Sequence, residues 1–126
     1  VGRWQLLGHL GRLAGDLDGA AEILVPCLAR CRERRMKMYI ISAAVGLLSC
    51  VAGADEATWR EMMDEVTQSL DVGWADSDFA RMAEFAAAHA TRRGFEDRAA
   101  EARAFALSNW RALGRDDEVE RLLQML

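Results

Sequence analysis

Apolar residues recur along this chain every three or four positions, and short glycine-acid punctuation interrupts them. Leu17, Ala20, Ala21, Leu24, Leu28 and Cys31 form one such stripe, and Trp59, Met62, Met63, Val66 and Leu70 form another. That period sets each group on one face of a helix, so each predicts an amphipathic helix with one buried side. Gly15-Asp16, Gly53-Ala54-Asp55, Gly94-Phe95-Glu96-Asp97 and Gly114-Arg115-Asp116-Asp117 each place a glycine able to end one helix before an acid able to begin the next. The pattern predicts helices at about 3–14, 17–35, 38–52, 55–70, 78–93, 96–113 and 116–125, about seven in all and mostly paired as hairpins.

Two stretches depart from the simple pattern. The helix expected at 38–52 is apolar on nearly all sides, with Ile40, Ile41, Val45, Leu47, Leu48 and Val51, and so belongs in the middle of a stack. Asp71 to Ser77, with Gly73 and Trp74, is a longer connection in which Asp76, Ser77 or Asp78 is placed to cap the next helix. Pro26, ten positions into its helix, lacks a backbone donor and crowds the carbonyl of Glu22. At a cost of about 3 kcal/mol it predicts a kink.

Composition sharpens the fold class to all-α. The 126 residues suit a single domain, 52% of them are apolar, and 22 alanines with one proline and one tyrosine favour helix over sheet. Fifteen arginines beside one lysine, with so much alanine, point to a GC-rich bacterial genome. The net charge of −4 has the wrong sign for a general nucleic-acid binder. Met38 to Ala54, the longest nearly apolar run, is broken by Ser42, Gly46 and Ser49 and is shorter than the roughly 20 residues of a bilayer span, so no membrane association is expected. No signal peptide is visible, and a start at Val1 suggests a fragment of a longer protein. Three cysteines, an odd number within apolar helical stretches, fit reduced thiols in a cytoplasm.

The first 35 residues carry a family likeness. Trp4, Leu7-Gly8, Gly15-Asp16, Ala20, Leu24 and Cys27 follow the large, leucine-small, turn, small, large order of a repeat unit, with Gly8 and Ala20 small where two helices must approach closely. The chain thereby resembles the tetratricopeptide repeat (TPR) family, and long-repeat helical arrays of bacterial signalling kinases and transcription regulators look similar. Val45-Gly46, Gly53, Thr58 and Met62 resemble a second, degenerate unit, and Ala86-Ala87, Ala90, Gly94 and Ala99 a third. Their turn glycines lie 38 and 41 residues apart, against about 34 in the family, which requires insertions between units.

The resemblance implies stacked antiparallel helix pairs in a short right-handed superhelix, with units at about 1–37, 38–76 and 77–113 and a terminal helix at 115–126. It implies a protein–protein interaction module, scaffolding or regulatory, that binds a peptide or partner protein on a concave surface. By position that surface takes Gln5, His9, Arg12 and Leu13 from the first unit, Ala43, Leu47 and Cys50 from the second, and Glu84, Ala88 and Arg92 from the third. The alternative is homodimerisation of a larger signalling protein through its terminal helix, where Val119, Leu122, Leu123 and Leu126 form an apolar stripe.

Other chemistry is thinly represented. Cys27 and Cys31 lie one turn apart, a spacing that suits a metal, yet His9 falls too far along the hairpin to complete a site. Buried thiols are expected instead, with no metal and no cofactor. Arg30, Arg32, Arg34, Arg35 and Lys37 crowd five cations into eight residues, which suits phosphate or an acidic partner less well than the carbonyl end of a helix, because these alternating positions point around the helix instead of making one patch, while 54–84 holds nine acids against Arg60 and Arg81. No glycine-rich phosphate loop or HExxH is present, and only His9 and His89 offer imidazole bases, so catalysis is not expected.

Overall fold

The computed structural model describes residues 17–125, which form six α-helices: α1 (Leu17–Glu33), α2 (Lys37–Leu47), α3 (Glu56–Asp71), α4 (Ser77–Arg92), α5 (Glu96–Ala112) and α6 (Asp116–Gln124). No strand occurs among the described residues, and the fold is all-α. The helix expected at 3–14 lies outside the described residues, together with Gln5, His9, Arg12, Leu13 and Leu126. The other six helices stand where the periodicity sets them, with one material difference at α2.

That helix stops at Leu47 instead of 52, and Leu48 to Gly53 follow as turns. The Leu48 N–H reaches back three residues to the Val45 carbonyl at 3.3 Å, tightening the last turn. Beyond it the carbonyls of Ala52 and Ala54 are taken by the Arg98 guanidinium of α5, at 2.9 and 2.7 Å, which draws the chain off the helical path. Pro26 is accommodated differently. α1 is helical on both sides of it, and the residue is exposed.

Helices touch their near neighbours only. α1 packs on α2, α2 on α3, α4 on α5 and α5 on α6, while α2 also meets α4 and α3 meets α5. The α2/α3 pair thus stacks on the α4/α5 pair, and the long connection at 72–76 lets α3 and α4 part without packing on each other. Closest contact falls between α4 and α5, where Ala83, Ala86, Ala87 and Ala90 are buried along with Ala99, Ala102 and Ala106. Side chains that small let two backbones nest, and Trp59, Met63, Phe105 and Trp110 fill the remaining volume of the same core. Leu24, Leu28, Ala43 and Leu47 make a smaller cluster that joins α1 to α2.

Four helices end in one hydrogen-bonding pattern. At the ends of α1, α3, α4 and α5 an N–H bonds to the carbonyl five residues earlier: Met36 to Cys31, Trp74 to Ser69, Phe95 to Ala90 and Arg115 to Trp110. This is the Schellman closure, which needs a left-handed residue just before that donor. Gly73, Gly94 and Gly114 supply it at φ +74°, +83° and +71°, but in α1 the position belongs to Arg35 at φ 54°. A side chain there is strained by roughly 1 kcal/mol. Arg35→Gly is therefore expected to stabilise the chain by about 0.5–1 kcal/mol, read as a higher urea midpoint with an unchanged slope; a lower midpoint would show that the arginine side chain contributes more than its backbone costs.

The opposite ends are capped by acids. Asp55 accepts the Thr58 N–H and hydroxyl, at 3.2 and 2.6 Å, and these bonds hold its carboxyl below the usual carboxylate range. Of the three residues placed to cap α4, Asp76 does so, accepting from the amides of Asp78 and Phe79.

Candidate interaction surface

The concave positions taken from the family resemblance scatter. Ala43 and Leu47 are fully buried against Leu24 and Leu28 of α1, so they belong to the helix interface and offer nothing to a partner. The reason is the all-round apolarity of α2, which α1 covers on the very side assigned to a groove. Glu84 is committed within the chain, accepting from the Trp110 indole Nε1 at 2.9 Å and pairing with Arg121 at 2.8 Å. Ala88 and Arg92 remain exposed on α4, and Cys50 is half-buried in a cleft.

That cleft, of about 250 Å³, lies between the α2–α3 turn and the C-terminal end of α4, with Ser49, Cys50, Gly53, His89 and Arg93 among its walls. No acid lines it, and Arg93 lies so close over Gly53 that an added Cβ would come within 3.1 Å of its Nη1. Burial, followed by the charges of Arg92 and Arg93, depresses the His89 pKa below its usual 6.5. The Ser49 hydroxyl is buried without a hydrogen-bond partner among the described residues.

The other thiols are shut away. Cys31 is fully buried, and burial followed by the neighbouring Cys31 pushes Cys27 up to about 11. Among the described residues no three His, Cys, Asp or Glu side chains converge as a metal site. A disulfide reagent at pH 8 is expected to label Cys50 in the folded protein and Cys27 and Cys31 only after urea is added, as read by peptide mass mapping. Early labelling of Cys27 would contradict its burial.

A second cleft, of about 320 Å³, was not signalled by the sequence. Met38, Tyr39 and Ser42 from the start of α2 form one wall, and Trp74 and Phe79 form the other. Met38 is 58% and Tyr39 37% exposed. Gly73 turns the chain out of α3, and the Trp74 N–H bond to Ser69 folds it back across the helix end. The wall is then pinned from a distance, because the fully buried Asn109 of α5 accepts the Asp76 N–H at 2.9 Å while its Nδ2 donates to the Phe105 carbonyl. Asp76 also lines this cleft, with Oδ1 already engaged by two α4 amides.

The basic run precedes the Met38 wall in the sequence. Arg32 pairs with Glu61 and Glu65 of acidic α3, so part of the basic run is balanced within the chain. Arg34, Arg35 and Lys37 are exposed and make no side-chain ion pair or hydrogen bond among the described residues. Lys37 immediately precedes Met38.

No protein-family model matches the sequence, and no curated protein or solved structure matches the chain. Among the described residues no helix is long and apolar enough to cross a membrane.

Proposed function

We propose that this chain is a protein-interaction module, a TPR-like stack of helix pairs that holds a segment of another protein, as part of a larger bacterial regulator in the cytoplasm. The observation that carries the reading is the open aromatic cleft between α2 and the 72–76 connection, with Met38 and Tyr39 still accessible on a backbone fixed by buried neighbours. A surface ordered before its partner arrives loses little conformational entropy on docking. The mechanism is passive holding, with no turnover. Met38→Glu, a surface change, leaves the fold intact and is expected to remove the proteins that co-purify with the wild-type chain. An unchanged set of captured proteins would refute the reading.

Self-association through α6 is the second reading, favoured by Leu113, Leu123 and Met125, all exposed at that end of the stack. Leu122 is not part of this face, since it is the one buried residue of α6 and packs into the main core. Leu122→Glu would force a carboxylate into that core, so α6 is expected to undock, with lower helicity by circular dichroism and rapid proteolysis after Leu113. Leu123→Glu is expected to keep the helicity and to abolish any concentration-dependent dimer seen by light scattering. A stable wild-type monomer would remove this alternative.

A further inference from the structure

The geometry points to an arginine side chain, presented by a segment of a partner protein, as the occupant of the Tyr39–Trp74 cleft, its guanidinium between the rings and the Asp76 carboxylate and its stem along Met38. The inference rests on the interaction-module reading and adds the chemistry of the partner's anchor. Tyr39 from α2, Trp74 from the connection and Phe79 from α4 bring three aromatic side chains to one cleft of about 320 Å³, beside Met38. That is the small end of the roughly 300–1,000 Å³ range of ligand sites, a size for one or two anchoring side chains. Aromatic faces attract cations, and a guanidinium, planar and weakly hydrated, stacks on a ring while donating hydrogen bonds in its own plane.

The charge lining the cleft has one sign. Among the described residues Asp76 is its only charged wall, and Lys37, although next to Met38 in the chain, is not part of the lining. The carboxylate is held before any ligand arrives: the Asp76 N–H donates to the buried Asn109, and Oδ1 accepts from the amides of Asp78 and Phe79. Oδ2 accepts no hydrogen bond among the described residues and is left for an incoming donor. This cap offsets the positive end of α4, and Asp78 adds a second acid in the same first turn. The chain's own tryptophans show the matching pairing. Trp59 has Arg98 at 5.7 Å from its ring centroid, and Trp110 has Arg81 and Arg115 at 5.7 and 5.5 Å, whereas the partly exposed Trp74 has no cation over it among the described residues. A guanidinium from outside would find at Trp74 and Asp76 both a ring and a charged acceptor. The net charge of −4 favours the approach of such a cation at long range.

The test uses the full chain and fluorescent peptides of about twelve residues that share one apolar helical face and differ at a single central position: arginine, lysine, glutamine or glutamate. The arginine peptide is expected to bind about tenfold tighter than the glutamine one, with lysine between them and glutamate weakest. Asp76→Asn keeps the α4 cap, since asparagine caps as well as aspartate, and is expected to cut the arginine advantage to about twofold. Tyr39→Leu is expected to reduce that advantage by about threefold or more, and Tyr39→Phe to retain it. Met38→Lys, which sets a like charge at the mouth, is expected to weaken the arginine peptide more than Met38→Glu does. Equal binding of the arginine and glutamine peptides, both weakened by Met38→Glu, would keep the interaction module and overturn the arginine anchor, as would a preference for glutamate. No binding of any peptide, or binding that neither Met38 variant weakens, would overturn both. A doubled mass by light scattering that Asp76→Asn abolishes would make the occupant a second copy and likewise overturn the proposal.

Discussion

Replacing Arg98 by methionine is expected to cost about 3 kcal/mol or more. Arg98 is 5% exposed, yet its Nη1 donates to two backbone carbonyls 46 and 44 residues away, those of Ala52 and Ala54. Hydrogen bonds from a charged donor contribute roughly 1.5–3 kcal/mol each, and carbonyls left unpaired add a desolvation penalty. The guanidinium also lies over the Phe95 ring, 4.0 Å from its centroid, an added cation–π attraction. Its ion pair with Glu56 contributes little, because that carboxylate is largely exposed and screened. Since a domain's whole stability is about 5–15 kcal/mol, the loss should appear as a large drop in urea midpoint. Arg98→Lys keeps the charge without the planar fork and should recover less than half. Near-neutral Arg98→Met would mean that the α2–α3 turn holds its shape unaided.

Trp110→Ala is expected to be equally severe, about 3–5 kcal/mol, because a fully buried indole leaves a cavity between α4, α5 and α6. More informative is a comparison of two phenylalanine variants. The Trp110 indole N–H donates to Glu84, which also holds Arg121 of α6, so Trp110→Phe removes a bond to a carboxylate at the junction of three helices. The equally buried indole N–H of Trp59 has no acceptor among the described residues. Trp59→Phe therefore removes an unsatisfied donor, and its cost should be smaller than that of Trp110→Phe by about 1 kcal/mol or more. Denaturation of the two variants side by side gives the difference, and the reverse order would show that ring volume governs both sites.

Most helix limits were legible in the sequence because they are written locally. A left-handed glycine ends α3, α4 and α5, and an aspartate side chain opens α3 and α4, so neighbouring residues suffice to place those ends. The C-terminus of α2 is not legible because Leu48, Val51 and Ala52 are as apolar as the helix before them, and the Arg98 bonds to the Ala52 and Ala54 carbonyls of the following turn come from α5. Arg35 gave no turn signal, since it closes α1 in a conformation that sequence reading assigns to glycine. Both Arg98 and Asn109 fall in register with the apolar stripe Ala102, Phe105 and Ala106 of α5, and a polar residue on a buried face was the available sign that it bonds to backbone elsewhere.

The interaction surface was less legible than the fold. Ala43 and Leu47 came from family position, and burial of α2 on the α1 side removes them. The Tyr39–Trp74 cleft joins residues 35 positions apart through a connection whose course depends on Asn109, which no helical period reports. Ala88 and Arg92 stay exposed on α4 but line neither cleft.

Because none of the described helices reaches past its next-but-one neighbour, an event at one end of the stack has few routes to the other. α6 is tied down by Leu122 and the Glu84–Arg121 contact, so amide hydrogens there should exchange well before those of α4 and α5. Such an architecture can gain or shed a terminal element without rewriting its centre.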